Sequence, residues 1–303
     1  MSTPEAVAGV EDVDLTGQTA LVTGSTSGIG REAALALGRL GAEVLVHGRD
    51  PAAGQAVVAD LAAAGADATF VRADFAGVET VRELAATVRE ETDSLDLLFN
   101  NAGGYFRSGE LTDLGVEYTF HVNHLSPYLL TAELLDHLAA EARVVTTASA
   151  AHRGTSLDIE RVRSVDSYSA TWAYSHSKLA NVLFATELAR RLRAVGRSVT
   201  TASVHPGAIP GSGFTRFLPG PLSSLASALD RLPLVTSVAD GAAELLYAGL
   251  HPDALSSTGQ YYADLSTATP TAAGRDADAA RRLWTESASM LGVEEPLATE
   301  SGA

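Results

Sequence analysis

Thr19-Ala-Leu-Val-Thr-Gly-Ser-Thr-Ser-Gly-Ile-Gly30 places a short apolar run directly before three glycines, and residues 31–40 then carry apolar side chains at helical spacing. This is a strand, a glycine-rich turn and a helix. Glycines at such a crossing let backbone amides come close to a pyrophosphate, and the helix N-terminus adds free N–H groups and a favourable dipole. Gly24, Gly28 and Gly30 follow G-x-x-x-G-x-G, not the commoner G-x-G-x-x-G. A glycine turn by itself is often only a tight turn. Its position at the first strand-to-helix crossing favours the nucleotide reading.

The same alternation runs outward from that turn. Strands are expected at 42–47, 68–72, 95–99, 143–147 and 198–204, and helices at 51–64, 78–90 and 173–195, with Pro51 where a first helical turn tolerates it. Strand and helix in unbroken succession mean an α/β domain, doubly wound, with a mainly parallel sheet covered on both faces. No repeat or linker divides 15–292. Residues 1–14 and 293–303 are polar and are expected to be flexible tails. Two segments break the rhythm, 150–172 and 207–234; the second is too apolar for a solvated linker, and both are expected to be substrate loops.

Composition narrows the function. The 303 residues carry a net charge of -16 with pI near 4.8, a field that repels nucleic acid and anionic membranes. Without cysteine, disulfides and thiolate metal sites are excluded. The N-terminus has neither a basic start nor an apolar core, and no run of 18 apolar residues occurs, so a cytoplasmic protein without a membrane anchor is expected. The acidic, lysine-poor composition fits either a salty cytoplasm or a codon bias toward arginine.

Tyr174-Ser-His-Ser-Lys-Leu-Ala-Asn181 lies in the 173–195 helix. Tyr174 and Lys178 are one turn apart on one face, so their polar ends can meet. An ammonium beside a phenol favours the phenolate, and such a pair can serve as acid and base. Tyr-x-x-x-Lys is common by chance on helices. Here, however, the 21 basic residues comprise 20 arginines and one lysine, and that lysine is Lys178.

With these pieces in order, the chain resembles the short-chain dehydrogenase/reductase family over about 15–264: the Thr23 to Gly30 turn, Asp74, Asn100-Asn101-Ala102-Gly103, Asn123, Ser149, Tyr174 with Lys178, and His205-Pro206-Gly207. Val122-Asn-His-Leu125, the 25-residue step from Ser149 to Tyr174 and the Tyr174 octapeptide are similar to the retinol dehydrogenase and WW-domain oxidoreductase branch. The resemblance implies a single Rossmann-type domain with a seven-stranded sheet, transferring hydride between a nicotinamide cofactor and an alcohol or carbonyl. It implies that Ser149 bonds the substrate oxygen, Tyr174 exchanges a proton with it, Lys178 lowers the tyrosine pKa and holds the nicotinamide ribose, and Asn123 holds a water reaching the lysine. Ser149 as a strand-end cap and Asn123 as a residue at a helix start are the simpler readings in isolation.

Cofactor contacts are expected from Gly24, Ser25, Ser27, Gly28, Ile29 and Gly30 in the turn, and from Asp74 and Phe75 near adenine. Asn101, Ala102 and Gly103 border the ribose, and Pro206, Gly207 and Ile209 border the nicotinamide. Where NAD-type relatives carry aspartate the chain has Gly48, followed by Arg49, so NADP(H) is expected over NAD(H). Asp50 is expected to cap the helix that begins at Pro51. Pro127 and Pro210-Gly-Ser-Gly213 depart from the branch. His121 and His124 invite a metal reading, but no third ligand is apparent and no metal is expected. Tyr105, Phe106, Trp172 and Phe214 are expected walls of an apolar pocket for a small-molecule substrate, with ordinary core packing the other reading of Trp172. A homo-oligomer through the Tyr174 helix and the helix before it is open. The alternatives to an oxidoreductase are an NADP(H)-binding sensor with incidental turnover, and an epimerase, which usually has a larger C-terminal domain.

Overall fold

A computed structural model describes residues 2–207 and 237–298. Ile209, Phe214, the Pro210 to Gly213 stretch and almost all of the 207–234 segment lie outside the described residues.

In chain order the elements are α1 (Pro4–Ala8), β1 (Thr19–Val22), α2 (Gly28–Arg39), β2 (Glu43–Gly48), α3 (Pro51–Ala63), β3 (Ala68–Arg72), α4 (Val78–Glu91) and β4 (Leu95–Asn100). They continue with α5 (Tyr118–Phe120), α6 (Ser126–Leu134), β5 (Leu138–Thr147), α7 (Ala170–Ala194) and β6 (Thr200–Val204). The chain closes with α8 (Val238–Leu250), α9 (Pro252–Leu255), β7 (Gln260–Ala263), β8 (Ser266–Ala268) and α10 (Ala277–Leu291). Strand order is β3-β2-β1-β4-β5-β6-β7-β8, parallel except for the β7–β8 pair. β1 is buried at every residue, as a central strand covered on both faces must be. One apolar core lies under α4, α6, α7 and α10, the other under α1, α2 and α8. The order reverses between β1 and β4, which opens the crevice at their C-terminal ends where such sheets take ligands.

Three expectations are corrected. The described residues form eight strands, not seven: Ser266–Ala268 folds back on β7 through Asp264 and Leu265, with φ of 55° and 50°. Two consecutive positive φ values make the tight hairpin turn usually signalled by Asn-Gly, and Asp-Leu hides it. Over the described residues both ends pack against the domain. Ala8 and Val10 are buried and Glu5 takes Arg39 in a two-pronged ion pair of 2.6 and 2.8 Å. Val293 and Leu297 pack on the core while Glu295 pairs with Arg191 at 2.6 Å. A few apolar residues without periodicity were enough to dock each end. Finally, the 150–172 stretch contains 3-10 turns at Ala150–Gly154 and Arg161–Arg163, and α7 starts early because the Ser169 hydroxyl caps the Trp172 amide at 3.3 Å.

Nearly every residue of α6 is buried, and α7 is buried on all sides over most of its length. α10 supplies part of that cover: Trp284 stacks on Phe184 at 5.7 Å and meets Tyr128 edge-on at 4.9 Å.

Candidate active site

The glycine turn is held by β2 and β4. The Ser25 amide donates to the His47 carbonyl at 2.9 Å, and the Ser25 hydroxyl accepts from the His47 amide at 3.0 Å. The Gly24 amide donates to His47 Nδ1 at 3.1 Å, which places the ring proton on Nε2; burial draws this imidazole down to about 4, so it is neutral. On the other side the Thr23 hydroxyl accepts from the Asn101 and Ala102 amides at 2.9 and 3.0 Å, and Asn101 Nδ2 returns a bond to the Thr23 carbonyl at 2.9 Å. A Cβ on Gly30 would lie 2.5 Å from both Asn101 Nδ2 and the Gly24 carbonyl oxygen, so this packing admits only glycine.

These residues fit a dinucleotide. Gly28 sits at φ 58°, and Ser27, the N-cap of α2, makes no side-chain capping bond, unlike the caps of α3, α7 and α10. Its amides are therefore not spent on a side chain, the condition for pyrophosphate binding at a helix start. Ser25 and Phe75 face inward; the Phe75 ring stacks on His47 at 4.7 Å. Ile29 is partly buried on the core. After β3, Asp74 accepts from the Ala76 amide at 3.0 Å and stands 3.7 Å from Arg49 Nη1. Asp50 caps α3 through the Ala52 and Ala53 amides at 2.9 and 3.3 Å.

The second half of the site sits at the end of β5. Ser149 follows that strand, and its hydroxyl accepts from the Ala151 amide at 3.2 Å, so it is a cap and still has its own proton to give. Ser149 and Tyr174 share a side-chain hydrogen bond. Burial nevertheless pushes the Tyr174 phenol up, with the Ser149 bond opposing. The expected lowering by Lys178 is thus not the balance the protein sets alone. The ammonium lies 5.7 Å from the Tyr174 ring centre and donates to the Thr147 carbonyl at 2.9 Å. Burial draws Lys178 down to about 8.

Asn123 occupies a single π-helical turn, His121–Leu125, an irregularity that often marks functional sites. Its Oδ1 accepts from the Gly104 amide at 2.8 Å, and its Nδ2 donates to the Gly104 carbonyl at 2.9 Å and to the Ser177 hydroxyl at 3.0 Å. The side chain therefore ties the loop after β4 to α7. A Cβ on Gly103 would lie 2.9 Å from Asn123 Oδ1 and 3.7 Å from Lys178 Nζ, which brings the Asn101 to Gly103 stretch to the lysine. Gly207 (φ 86°) and Pro206 follow β6.

Of the expected pocket walls, Tyr105 lies beside Tyr174, ring centres 5.7 Å apart, with its hydroxyl 3.2 Å from Thr171 Oγ1. Phe106 packs edge-on against Tyr118 at 4.7 Å, and Trp172 stacks on His176 at 4.6 Å, so both belong to the core side. His121 and His124 are buried and drawn down to about 4 and about 3 by burial; His121 bonds Thr112, and His124 bonds Asn181 and Ser287. Sequence reading assigned no role to His47, Thr147, Ser177 or Asn181. Only their spacing from Gly24 and Lys178 could have signalled them.

A doubly wound sheet with a glycine turn at its switch point and a Ser, Tyr and Lys cluster at the next crevice defines a nicotinamide-dependent oxidoreductase. The short chain dehydrogenase family profile matches residues 18–217. The chain is 38% identical over 297 residues to a candidate daunorubicin C-13 ketoreductase of Streptomyces sp. (strain C5), covering 96% of this chain and 99% of that one. It is 34% identical over 299 residues to human retinol dehydrogenase 13, covering 94% and 87%. A short chain dehydrogenase from Burkholderia cenocepacia, solved in complex with NADP, superposes with a TM-score of 0.64 at 28% identity, covering 82% and 96%. The chain belongs to the short-chain dehydrogenase/reductase family, in a retinol dehydrogenase-like branch, and is an oxidoreductase acting on alcohol or carbonyl groups. No helix among the described residues is long and apolar enough to cross a membrane.

Proposed function

We propose that the protein is an NADP(H)-preferring carbonyl reductase for an apolar, ring-containing ketone or aldehyde, with Tyr174 as proton donor. The placement of Ser149, Tyr174 and Lys178 at one strand end carries this reading. When bound, the reduced nicotinamide supplies the hydride. Ser149 gives its hydroxyl proton as a hydrogen bond to the carbonyl oxygen, because its own oxygen is already occupied by the Ala151 amide. Tyr174 gives that oxygen its proton as negative charge develops there. Lys178, brought close to Gly103, offers the ammonium that offsets the phenolate left behind. Asn123 keeps the Gly104 loop and α7 at a fixed separation.

Arg49 supports the NADP(H) preference, being an exposed guanidinium at the end of β2 next to a glycine. The ring-containing substrate is supported by Tyr105 beside Tyr174 and by the ketoreductase and retinol dehydrogenase relatives. The test is loss of NADPH absorbance by purified protein across aryl ketones, polycyclic quinones, retinal and short aliphatic aldehydes. Turnover concentrated in the ring-containing group is expected. Cofactor binding with no turnover on any member would overturn the reading.

A further inference from the structure

We propose that Asn181 is a positioning residue for Lys178: both donate to the Thr147 carbonyl, and a buried hydrogen-bonded chain through His124 to Ser287 of α10 holds Asn181 there. The proposal rests on the reading of Lys178 as the cation beside Tyr174. Lys178 Nζ lies 2.9 Å and Asn181 Nδ2 3.0 Å from the same oxygen. Asn181 Oδ1 faces His124 Nδ1 at 3.4 Å, and His124 Nε2 faces Ser287 Oγ at 3.0 Å. Asn181, His124 and Ser287 are 2%, 1% and 1% exposed, so water does not substitute for these bonds.

The direction of the chain follows from its atoms. Asn181 spends an N–H on Thr147, so its oxygen is what meets His124, and an oxygen cannot donate. The neutral ring must then carry its proton on Nδ1, which leaves Nε2 to accept from the Ser287 hydroxyl. The hydroxyl has a single proton, which it shares between His124 Nε2 at 3.0 Å and the Leu283 carbonyl, to which it donates at 2.7 Å. The Asn181 amide thereby takes part of the Thr147 oxygen that the ammonium would otherwise have to itself. Its positive end, beside Nζ, disfavours the charged lysine. Among the described residues no carboxylate, arginine or histidine contributes to the Lys178 balance, and Tyr174 is the titratable group facing it on α7. The consequence is an ammonium bound loosely enough to leave Thr147 for a cofactor hydroxyl.

The single lysine makes a direct test possible without turnover. Protein labelled with lysine carbon-13 at the ε position shows one side-chain resonance, whose pH titration reads Lys178 alone. The parent midpoint is expected near 8. Asn181→Leu removes both bonds at similar volume and should raise the midpoint by about half a unit or more. NADPH should bind this variant more weakly by about three- to tenfold in a fluorescence titration, as a lysine held more tightly by Thr147 gives less to the ribose. Ser287→Ala should move the midpoint the same way by less. Leu37→Ala, buried in the other core under α2, should lower the melting temperature and leave the midpoint alone. A folded Asn181→Leu protein with the parent midpoint overturns the proposal. If that variant does not fold, an unchanged midpoint in Ser287→Ala overturns it instead. A protein that reduces no carbonyl at all would sink the enzymatic reading, yet the lysine titration would still decide this one.

Discussion

Replacing Arg49 with alanine should convert a cofactor preference into near indifference. The guanidinium follows Gly48 at the end of β2, its side chain 66% exposed and 3.7 Å from an Asp74 carboxylate that is itself half exposed. A buried arginine-phosphate pair would be worth more, but at this exposure solvent and salt reduce it, and about 1.5–2 kcal/mol is the expected loss. That corresponds to roughly a 10- to 30-fold rise in the NADPH dissociation constant. NADH has no 2'-phosphate, so its affinity should change less than about twofold. The assay is a fluorescence titration of both cofactors on parent and variant, repeated at two salt concentrations because the parent's NADPH advantage should shrink as salt rises. The local packing adds a constraint. A Cβ on Gly48 would lie 2.4 Å from Thr26 Cγ2, so Gly48→Asp should fail to create an NAD-type site unless Thr26 is also shortened. Equal losses for NADPH and NADH in Arg49→Ala, or no loss for either, would refute the assignment of Arg49 to the phosphate.

Lys178→Met should stabilise the protein while removing activity. The folded lysine is drawn from 10.5 to about 8, a cost of at most about 3 kcal/mol that is fully present below pH 8 and relieved as pH rises toward 10.5. The gain in melting temperature should therefore appear at neutral pH and vanish near pH 10; destabilisation at pH 7 would contradict it. Arg143, 1% exposed, donates to the carbonyls of Ala248, Ala254 and Ser257 at 2.9 to 3.1 Å and joins the C-terminal end of α8 to α9. Arg143→Met should cost about 3–5 kcal/mol in urea unfolding, and a loss below about 1 kcal/mol would show that water replaces those bonds. Because one chain already buries α6 and most of α7, sedimentation should show no dimer through that face, and exposing it with Trp284→Ala should increase self-association. A parent dimer disrupted by a charge on α7 would contradict this.

The central strands were legible because parallel strands buried on both faces are short apolar runs, and the helices between them carry a 3.6-residue period. Glycine positions were legible for a related reason: Gly24 and Gly28 need positive φ, and Gly30 has no room for a Cβ. What sequence could not show is set by contacts between distant residues. The β7–β8 turn uses Asp264 and Leu265 where glycine would have announced it. The docked ends depend on single pairs such as Glu5 with Arg39 and Glu295 with Arg191. Within the site, Tyr174 and Lys178 could be placed on one helical face, but the sign of the phenol's shift could not. Burial outweighs the Ser149 bond, and the ammonium's partner is the Thr147 carbonyl; neither is written in a tetrapeptide. Trp172, readable as pocket wall or as core, stacks on His176 one turn on and carries Arg161 over its ring at 4.0 Å, a pairing that no periodicity signals.

Comparing Tyr174→Phe with the parent on the best carbonyl substrate tests the proton-donor role most directly, provided NADPH binding is measured on the same samples. The phenylalanine keeps the ring against Tyr105 and removes only the hydroxyl, so NADPH affinity should stay within about threefold while kcat falls by roughly 10²- to 10⁴-fold. A variant that binds NADPH like the parent and turns over at the parent's rate would show that the proton comes from elsewhere.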